Sequence, residues 1–299
     1  MRPAPSQRTM TAQGVRYAAH EEDSVVQHLI VPVDGSSVSW RAFDVALGIA
    51  HRCGGDIRVV EVACDPVDGR YANDRLNDEL QQRGPFGVEV SVEVRLTSEY
   101  VADEIAAVIA QRPDSIIVMS SHGTGRSAAI LGSVTEGVLR RTLGPVVLVG
   151  PRAIASDFSG PIIVSVDGSA ESEIALPLAA AWASELRTTP WIVSVEDSRR
   201  PIAAVVNGDV LEAAYPARLA RRLAEYAGRA VEFDELHDPH PGRAVPSFAS
   251  RSNASMIVAS SHGRSGLSRL TLGSVTAQFV RNATCPVTVV RLADPAHAE

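Results

Sequence analysis

Residues 29–36 read Leu-Ile-Val-Pro-Val-Asp-Gly-Ser, and residues 162–169 repeat this stretch as Ile-Ile-Val-Ser-Val-Asp-Gly-Ser. Each copy begins with a short apolar run rich in β-branched residues, which is typical of a strand buried on both faces of a parallel sheet. Asp34, Gly35 and Ser36 then supply the residues of a turn and a helix N-cap. Apolar residues recur at helical spacing from Phe43 to Ala50. The stretch therefore predicts a strand, a turn and a helix.

Three further blocks recur in the same order in both halves of the chain. Ser-Ser-His-Gly occupies 120–123 and 260–263, Leu-Gly-Ser-Val-Thr occupies 131–135 and 272–276, and an apolar run containing Pro-Val follows at 144–149 and 285–290. The offset between matching residues is 133 at the aspartates (167 − 34), 140 at the histidines (262 − 122) and 141 at the later glycines (273 − 132). Insertions therefore fall between the blocks, where surface loops tolerate them. The chain is therefore a tandem repeat of two related units.

Strand-like runs alternate with helical stretches through each unit. This alternation predicts βαβ crossovers and an open parallel sheet with helices on both faces. We expect an α/β fold with two tandem, doubly wound sheets of Rossmann-like architecture. The predicted domains span 27–152 and 159–299 after a flexible extension over 1–26, with a linker at 151–160. The predicted strands are 29–33, 58–62, 88–94, 115–119 and 146–149, then 162–166, 191–195, 231–235, 256–259 and 287–290.

Composition and charge exclude several classes of function. The 299 residues suffice for two domains, since a single core rarely grows beyond about 250 residues. The formal net charge of −7 argues against nucleic acid or an anionic membrane as a partner, because both recruit basic patches. All 28 residues in the Lys+Arg count are arginine. The lysines of Walker A loops, PLP enzymes and protein kinases are therefore excluded.

Cysteine usage and hydropathy favour a cytoplasmic protein. Cys53, Cys64 and Cys285 are odd in number and form no CxxC pair, which fits a reducing compartment. No apolar run approaches the roughly 20 residues of a membrane helix, and the N-terminus lacks the apolar core of a signal peptide. We therefore expect a cytoplasmic location and no membrane partner.

The glycine-rich segment after the predicted fourth strand is the sharpest functional signal. In the second unit nine residues separate Gly263 from Gly273, and Gly273-Ser274 opens a helical stretch. Glycines let backbone N–H groups approach a phosphate, and the helix N-terminus adds the positive end of its dipole. Ser274 and Thr276 can add hydroxyl donors. The segment predicts an anion site.

These blocks resemble the universal stress protein family, whose nucleotide-binding members carry the pattern G-2x-G-9x-G-[S/T] after the fourth strand and an aspartate after the first. The resemblance covers residues 28–292 in two copies. It implies ATP as the ligand, alone or with Mg²⁺, and a role in the stress response. Asp34 and Asp167 would lie near the ribose and adenine, and the backbone at Val62 and Val195 would meet the adenine edge. The residues that would hold the phosphates are Gly123, Gly132, Ser133, Thr135, Gly263, Gly273, Ser274 and Thr276.

The sequence departs from the family pattern in two ways. Ser120 and Ser260 replace its first glycine, and only eight residues separate Gly123 from Gly132. Serine is restricted wherever a loop needs a positive φ, although its hydroxyl could bond ribose or phosphate. The chain could therefore also be a degenerate interaction scaffold that binds no nucleotide.

Individual site residues also have alternative roles. The two aspartates could serve only as helix caps, and Gly132 and Gly273 could be helix-start or packing glycines. Arg126 and Arg264 could pair with phosphate or remain solvated loop residues.

Two catalytic interpretations have little support from the sequence. A Ser-His-Asp triad is disfavoured because Ser121 and His122 are adjacent, so we expect their side chains to diverge, and no G-x-S-x-G elbow is present. A zinc site at His237 and His240 lacks a CxxC or HExxH companion. We therefore expect a sensor and not an efficient enzyme, with slow ATP hydrolysis left open.

The resemblance also implies how the units assemble. Family members commonly pair through the fifth strand, so the two halves would form that pair within one chain. Two chains could then form a homodimer, and a sensor would act on a protein partner that the sequence does not identify.

Overall fold

The computed structural model describes residues 10–12, 15–17, 27–112, 114–123, 131–142, 144–196, 209–261 and 272–291. Its strands are β1 Met10–Ala12, β2 Val15–Tyr17, β3 His28–Val33, β4 Asp56–Ala63, β5 Val90–Leu96, β6 Ser115–Ser120, β7 Val146–Val149, β8 Ile162–Val166, β9 Pro190–Glu196, β10 Glu232–His237, β11 Met256–Ser260 and β12 Val287–Val290. Its helices are α1 Ser37–Cys53, α2 Pro66–Arg83, α3 Val101–Ala110, α4 Ser133–Arg141, α5 Ala170–Glu173, α6 Ala175–Glu185, α7 Asp209–Ala227, α8 Pro241–Arg251 and α9 Ser274–Asn282.

The sheet confirms the predicted α/β class and all ten predicted strands. Its strand order is β10-β9-β8-β11-β12-β7-β6-β3-β4-β5, and every neighbouring pair is parallel except β12 with β7. The two predicted five-stranded sheets are therefore halves of one ten-stranded sheet. In each half the fourth and first strands are neighbours, which places the reversal of strand order between β6 and β3 and between β11 and β8.

The antiparallel pair β7–β12 joins the two units. Val287 lies opposite Leu148 and Val289 opposite Val146, which confirms the predicted pairing of the fifth strands within one chain. All eight residues of the two strands are buried. Apolar burial stabilises a fold by about 25 cal/mol per Å². The junction is thus part of the hydrophobic core and not a flexible tether.

The predicted linker packs against the first unit. Arg41 on α1 donates a hydrogen bond to the carbonyl oxygen of Gly150 at 2.9 Å and another to that of Ala153. Phe158 is fully buried, and a Cβ added at Gly48 would lie 2.8 Å from its ring. Gly48 therefore lets the linker lie directly on α1.

Helices cover the sheet because their apolar residues repeat at the helical period. In α1, Ser36 caps the N-terminus by accepting a hydrogen bond from the Ser39 N–H, and the buried face includes Trp40 and Phe43. Gly54 ends the helix in the left-handed conformation at φ +81°. The Ser36 cap thus fixes where α1 begins after β3, and the Gly54 cap fixes where it ends.

The N-terminal segment contains one small element outside the main sheet. β1 and β2 pair antiparallel, with Met10 opposite Tyr17. The flexibility predicted for residues 1–26 stays a prediction. Among the residues that the structure describes, every helix is too short or too polar to cross a lipid bilayer.

Gly150 supplies a test of the junction, because it lies against the last turn of α9. A Cβ added there would sit 1.8 Å from the carbonyl oxygen of Val280, a backbone atom that cannot yield without moving the helix. We expect Gly150→Ala to lower the free energy of unfolding by at least about 3 kcal/mol in a denaturant titration. Gly144→Ala is the matched control, since its Cβ would meet nothing within 4 Å. Equal stabilities of the two variants would contradict the close packing of the junction.

Candidate functional site

The turn after β3 fixes the first predicted aspartate at the carboxyl edge of the sheet. Gly35 has a φ of +76°, a conformation that favours glycine. Oδ1 of Asp34 accepts hydrogen bonds from the N–H and the hydroxyl of Ser36, at 3.1 and 2.5 Å. The Asp34 N–H donates to Oγ of Ser39 at 3.3 Å. The carboxylate is thereby held over the first turn of α1.

These hydrogen bonds also set the charge of the aspartate. Burial by itself would raise the pKa of Asp34, but hydrogen bonds from Ser36 and Ser39 outweigh it and leave the pKa below its usual value. Asp34 is therefore an ionised hydrogen-bond acceptor at neutral pH. A Cβ added at Gly123 would lie 3.0 Å from Oδ2 of Asp34, so glycine lets the fourth-strand loop approach the carboxylate.

The second unit reproduces the turn almost unchanged. Oδ1 of Asp167 accepts from the N–H and hydroxyl of Ser169 at 3.0 and 2.6 Å, and its N–H donates to Oγ of Ser172 at 3.2 Å. Gly168 again has a positive φ, +85°. Ser36 and Ser169 cap their helices, so capping falls to these serines and not to the aspartates.

The serines that replace the first glycine of the motif sit on extended backbone. Ser120 is the last residue of β6 and Ser260 the last residue of β11. Among the described residues other than glycine, only Phe158, Arg187 and Asn253 have a positive φ. The conformational restriction considered from the sequence therefore does not arise at these two positions.

A glycine is the N-cap of each helix that follows the fourth strand of a unit, α4 and α9. Gly132 precedes α4 without a side-chain cap, and its N–H donates to the carbonyl oxygen of Ser121 at 2.8 Å. Gly273 precedes α9 in the same way, with a bond to the carbonyl oxygen of Ser261 at 2.7 Å. Helix geometry leaves the next amides without intrahelical acceptors, and the dipole makes this end positive. Each start is thus suited to an anion.

The two predicted threonines have a structural use for their hydroxyl protons. Oγ1 of Thr135 donates to the carbonyl oxygen of Ser120 at 2.9 Å, and Oγ1 of Thr276 donates to that of Ser260 at 2.9 Å. Both threonines are buried. One hydroxyl proton cannot serve two acceptors, so in this arrangement the threonines fasten the helix start to the strand end. Their assignment to phosphate stays a prediction.

Each unit has a cavity at this edge of the sheet, of about 270 Å³ in the first unit and about 360 Å³ in the second. Residues predicted from the first unit all line its cavity: Asp34, Val62, Ser120, Gly123, Gly132, Ser133 and Thr135. Residues of the second unit that line its cavity are Asp167, Val195, Ser260, Gly273, Ser274 and Thr276. Gly263 lies outside the described residues, as do His262, Arg126 and Arg264.

The apolar walls of the cavities were not predicted as site residues. Val60, Val101, Ile105 and Met119 line the first cavity. Pro241 and Phe279 line the second. Val101 and Ile105 lie on one face of α3, and helical spacing alone gives no sign that this face borders a cavity.

A buried carboxylate distinguishes the first unit. Glu61 on β4 is 6% exposed and forms an ion pair with Arg75, and its Oε2 has no hydrogen-bond partner among the described residues. Burial raises the pKa of Glu61, and the hydrogen bond from Arg75 opposes the rise. The equivalent position in the second unit is Ser194 (61 + 133), so the two units differ in charge beside their first strands.

The adjacent serine and histidine do not diverge as predicted. Oγ of Ser121 lies 3.0 Å from Nδ1 of His122. The prediction was wrong because Ser121 follows the last residue of β6, where the chain leaves the alternation of a strand. Ser121 is only 4% exposed, so its hydroxyl is shielded from solvent. Burial and the charge of Arg41 both lower the pKa of His122, which lines the first cavity as a neutral ring.

The hydrogen bond from Thr135 to the Ser120 carbonyl oxygen can be tested by substitution. Thr135→Val keeps the shape of the side chain but leaves the Ser120 carbonyl without its donor, which should cost about 1–3 kcal/mol of unfolding free energy. Thr135→Ser retains the hydroxyl and should recover most of that loss. An unchanged unfolding midpoint for the valine variant would show that the bond does not hold α4 to β6.

Comparisons with known proteins agree with this architecture. The model of the universal stress protein family matches residues 26–150 and again residues 159–291. A universal stress protein of Mycolicibacterium smegmatis is 29% identical, covering 93% of this chain and 92% of that protein. One from Mycobacterium tuberculosis is 26% identical, covering 90% and 96%. The crystal structure of a universal stress protein from Archaeoglobus fulgidus superposes with a TM-score of 0.68 at 22% identity, covering 90% and 99%, which supports the fold alone.

Proposed function

Because the chain belongs to the universal stress protein family, we propose that each of its two units binds ATP, alone or with Mg²⁺. Binding would make the protein a regulatory sensor in the stress response and not an efficient enzyme. The observation that carries the proposal is the convergence of the predicted residues. Seven residues from four segments of the first unit and six from the second line two cavities at equivalent sheet edges.

The helix starts favour a phosphate chain. In each unit a glycine cap leaves the first-turn amides open toward the cavity, beside the hydroxyl of Ser133 or Ser274. A helix N-terminus stabilises a nearby anion through these amides and its dipole. A Cβ added at Gly132 would lie 3.3 Å from Cα of His122, so glycine also lets the start of α4 lie close to the segment after β6.

Other residues that line the first cavity suit a nucleoside. Apolar side chains such as Val62 and Ile105 provide a dry surface for a base. The ionised Asp34 faces the same cavity, where it can accept hydrogen bonds from ribose hydroxyls. A hydrogen bond to a charged group contributes about 1.5–3 kcal/mol. Base, sugar and phosphates would thus each meet a suitable surface.

Binding without efficient turnover is favoured by the residues around the first cavity. Despite its burial, hydrogen bonds from Ser36 and Ser39 hold the pKa of Asp34 below its usual value, which makes the carboxylate a weak general base. Ser121 is buried, so it does not present a nucleophile. A slow ATPase is the second candidate function, and the neutral ring of His122 in the first cavity is the group that favours it.

The proposal extends to assembly and location. The pairing of β7 with β12 occupies the fifth-strand edge of each unit, so a homodimer would use another surface. The sensor would act on an unidentified protein partner in the cytoplasm. The net charge of −7 disfavours nucleic acid as that partner.

Isothermal titration of ATP, with and without Mg²⁺, tests the proposal. The variants are Asp34→Asn, Asp167→Asn and the double variant that combines them. Asp34→Asn and Asp167→Asn each keep an Oδ1 acceptor for the following serine but remove the charge and Oδ2. We expect each to weaken its own site about 10- to 100-fold. At ATP concentrations that fill only an unaltered site, one site should be seen in each single variant and none in the double variant, whereas the original chain shows two.

Asp157→Asn is the matched control. Asp157 accepts hydrogen bonds from the N–H and hydroxyl of Ser159 at 3.1 and 2.7 Å, the same local turn, but it lines neither cavity. It should bind two ATP molecules like the original chain. Absence of heat and of thermal stabilisation at millimolar ATP would overturn the proposal and leave the scaffold interpretation, whereas steady phosphate release that the aspartate variants abolish would establish the ATPase.

A further inference from the structure

Three possible metal ligands meet on the edge of the second unit, outside the nucleotide cavities. They are Glu196 at the end of β9 and Glu235 and His237 on β10. Their candidate ligand atoms all lie within 4.8 Å of one another. Nδ1 of His237 is 3.2 Å from Oε2 of Glu196.

The register of the two strands explains why the three side chains converge. His237 is the direct partner of Glu196 in the parallel ladder, and Glu235 is the partner of Ser194. Residues two apart in a strand project from the same face, so Glu235 and His237 share the face of Glu196. Val195 points to the opposite face and lines the second cavity. The cluster is therefore distinct from the proposed nucleotide site.

The first unit provides an internal comparison. Ala63 is the counterpart of Glu196 (63 + 133) and pairs with Leu96 in the β4–β5 ladder, while Val94 pairs with Glu61. The positions of Glu196, Glu235 and His237 thus correspond to Ala63, Val94 and Leu96. All three positions are apolar in one unit and can all ligate a metal in the other. General solvation of an edge strand does not require three potential metal ligands to meet at one point.

The donor set indicates the kind of ion. One imidazole nitrogen and two carboxylates suit zinc and its neighbours, whereas Mg²⁺ and Ca²⁺ prefer oxygen ligands alone. Two ligands bound at about 2.1 Å with a tetrahedral angle are roughly 3.4 Å apart, close to the spacing of the His237 and Glu196 atoms. The His237 side chain is 64% exposed, so an ion can reach it from solvent.

We propose that Glu196, Glu235 and His237 form a binding site for a divalent transition-metal ion of the zinc type, with solvent water in the remaining coordination positions. The site clamps the end of the edge strand β10 to β9. Its ligands come from segments 41 residues apart (237 − 196), which is why no short metal motif marks it in the sequence.

The test uses the full chain, without an affinity tag, titrated with Zn²⁺ and with Co²⁺ as a spectroscopic probe. One ion should bind per chain, with a visible Co²⁺ absorption that lacks a thiolate band, and Zn²⁺ should raise the melting temperature. His237→Ala and Glu196→Gln should each weaken binding at least about tenfold and abolish the thermal shift.

His240→Ala is the matched control, because His240 is three residues further on and lies outside the cluster. It should bind the ion like the original chain, and so should Cys64→Ser, which removes the exposed thiol as a competing ligand. Melting curves without metal show whether each variant is folded. Titrations of His237→Ala that match the original chain, or binding lost only in Cys64→Ser, would overturn the proposal.

Discussion

The antiparallel ladder between β7 and β12 joins the two halves of the sheet and also positions the glycines that precede α4 and α9. The N–H of Ser121 donates to the carbonyl oxygen of Val149 at the end of β7, and the carbonyl of Ser121 accepts the N–H of Gly132. Ser261 bonds in the same way to Val290 and Gly273. Each glycine cap is therefore positioned by a chain of backbone hydrogen bonds that starts at the junction. The geometry of both candidate sites depends on this ladder.

The sequence was sufficient to predict the strands and the sheet edge at which the candidate site residues converge. Apolar runs such as 29–33 mark buried parallel strands, and parallel strands bring their carboxyl ends to one edge, so Asp34 and Ser120 lie at the same edge. The contact between Ser121 and His122, and the bonds of Thr135 and Thr276, were not predictable. They depend on the path of the chain just after a strand and on which acceptor a hydroxyl finds, and neither leaves a periodic pattern.

The two units share their backbone design but differ in what surrounds it. The turns at Asp34 and Asp167 have nearly the same hydrogen-bond distances because both contain Asp-Gly-Ser with a further serine three residues on. The cavities differ in volume, and Glu61 in the first unit corresponds to Ser194 in the second. Side chains outside the repeated blocks thus account for the differences between the sites. These positions also escaped prediction, since nothing in their spacing relates them to a ligand.

A crystal structure of the chain grown with ATP would show whether nucleotide occupies the two cavities, because it locates the ligand as well as detecting it. We expect nucleotide in both cavities, with phosphate oxygens within hydrogen-bond distance of the Ser133 and Ser274 amides and the ribose hydroxyls on Asp34 and Asp167. Nucleotide bound elsewhere on the chain, or both cavities without nucleotide at saturating ATP, would contradict this expectation.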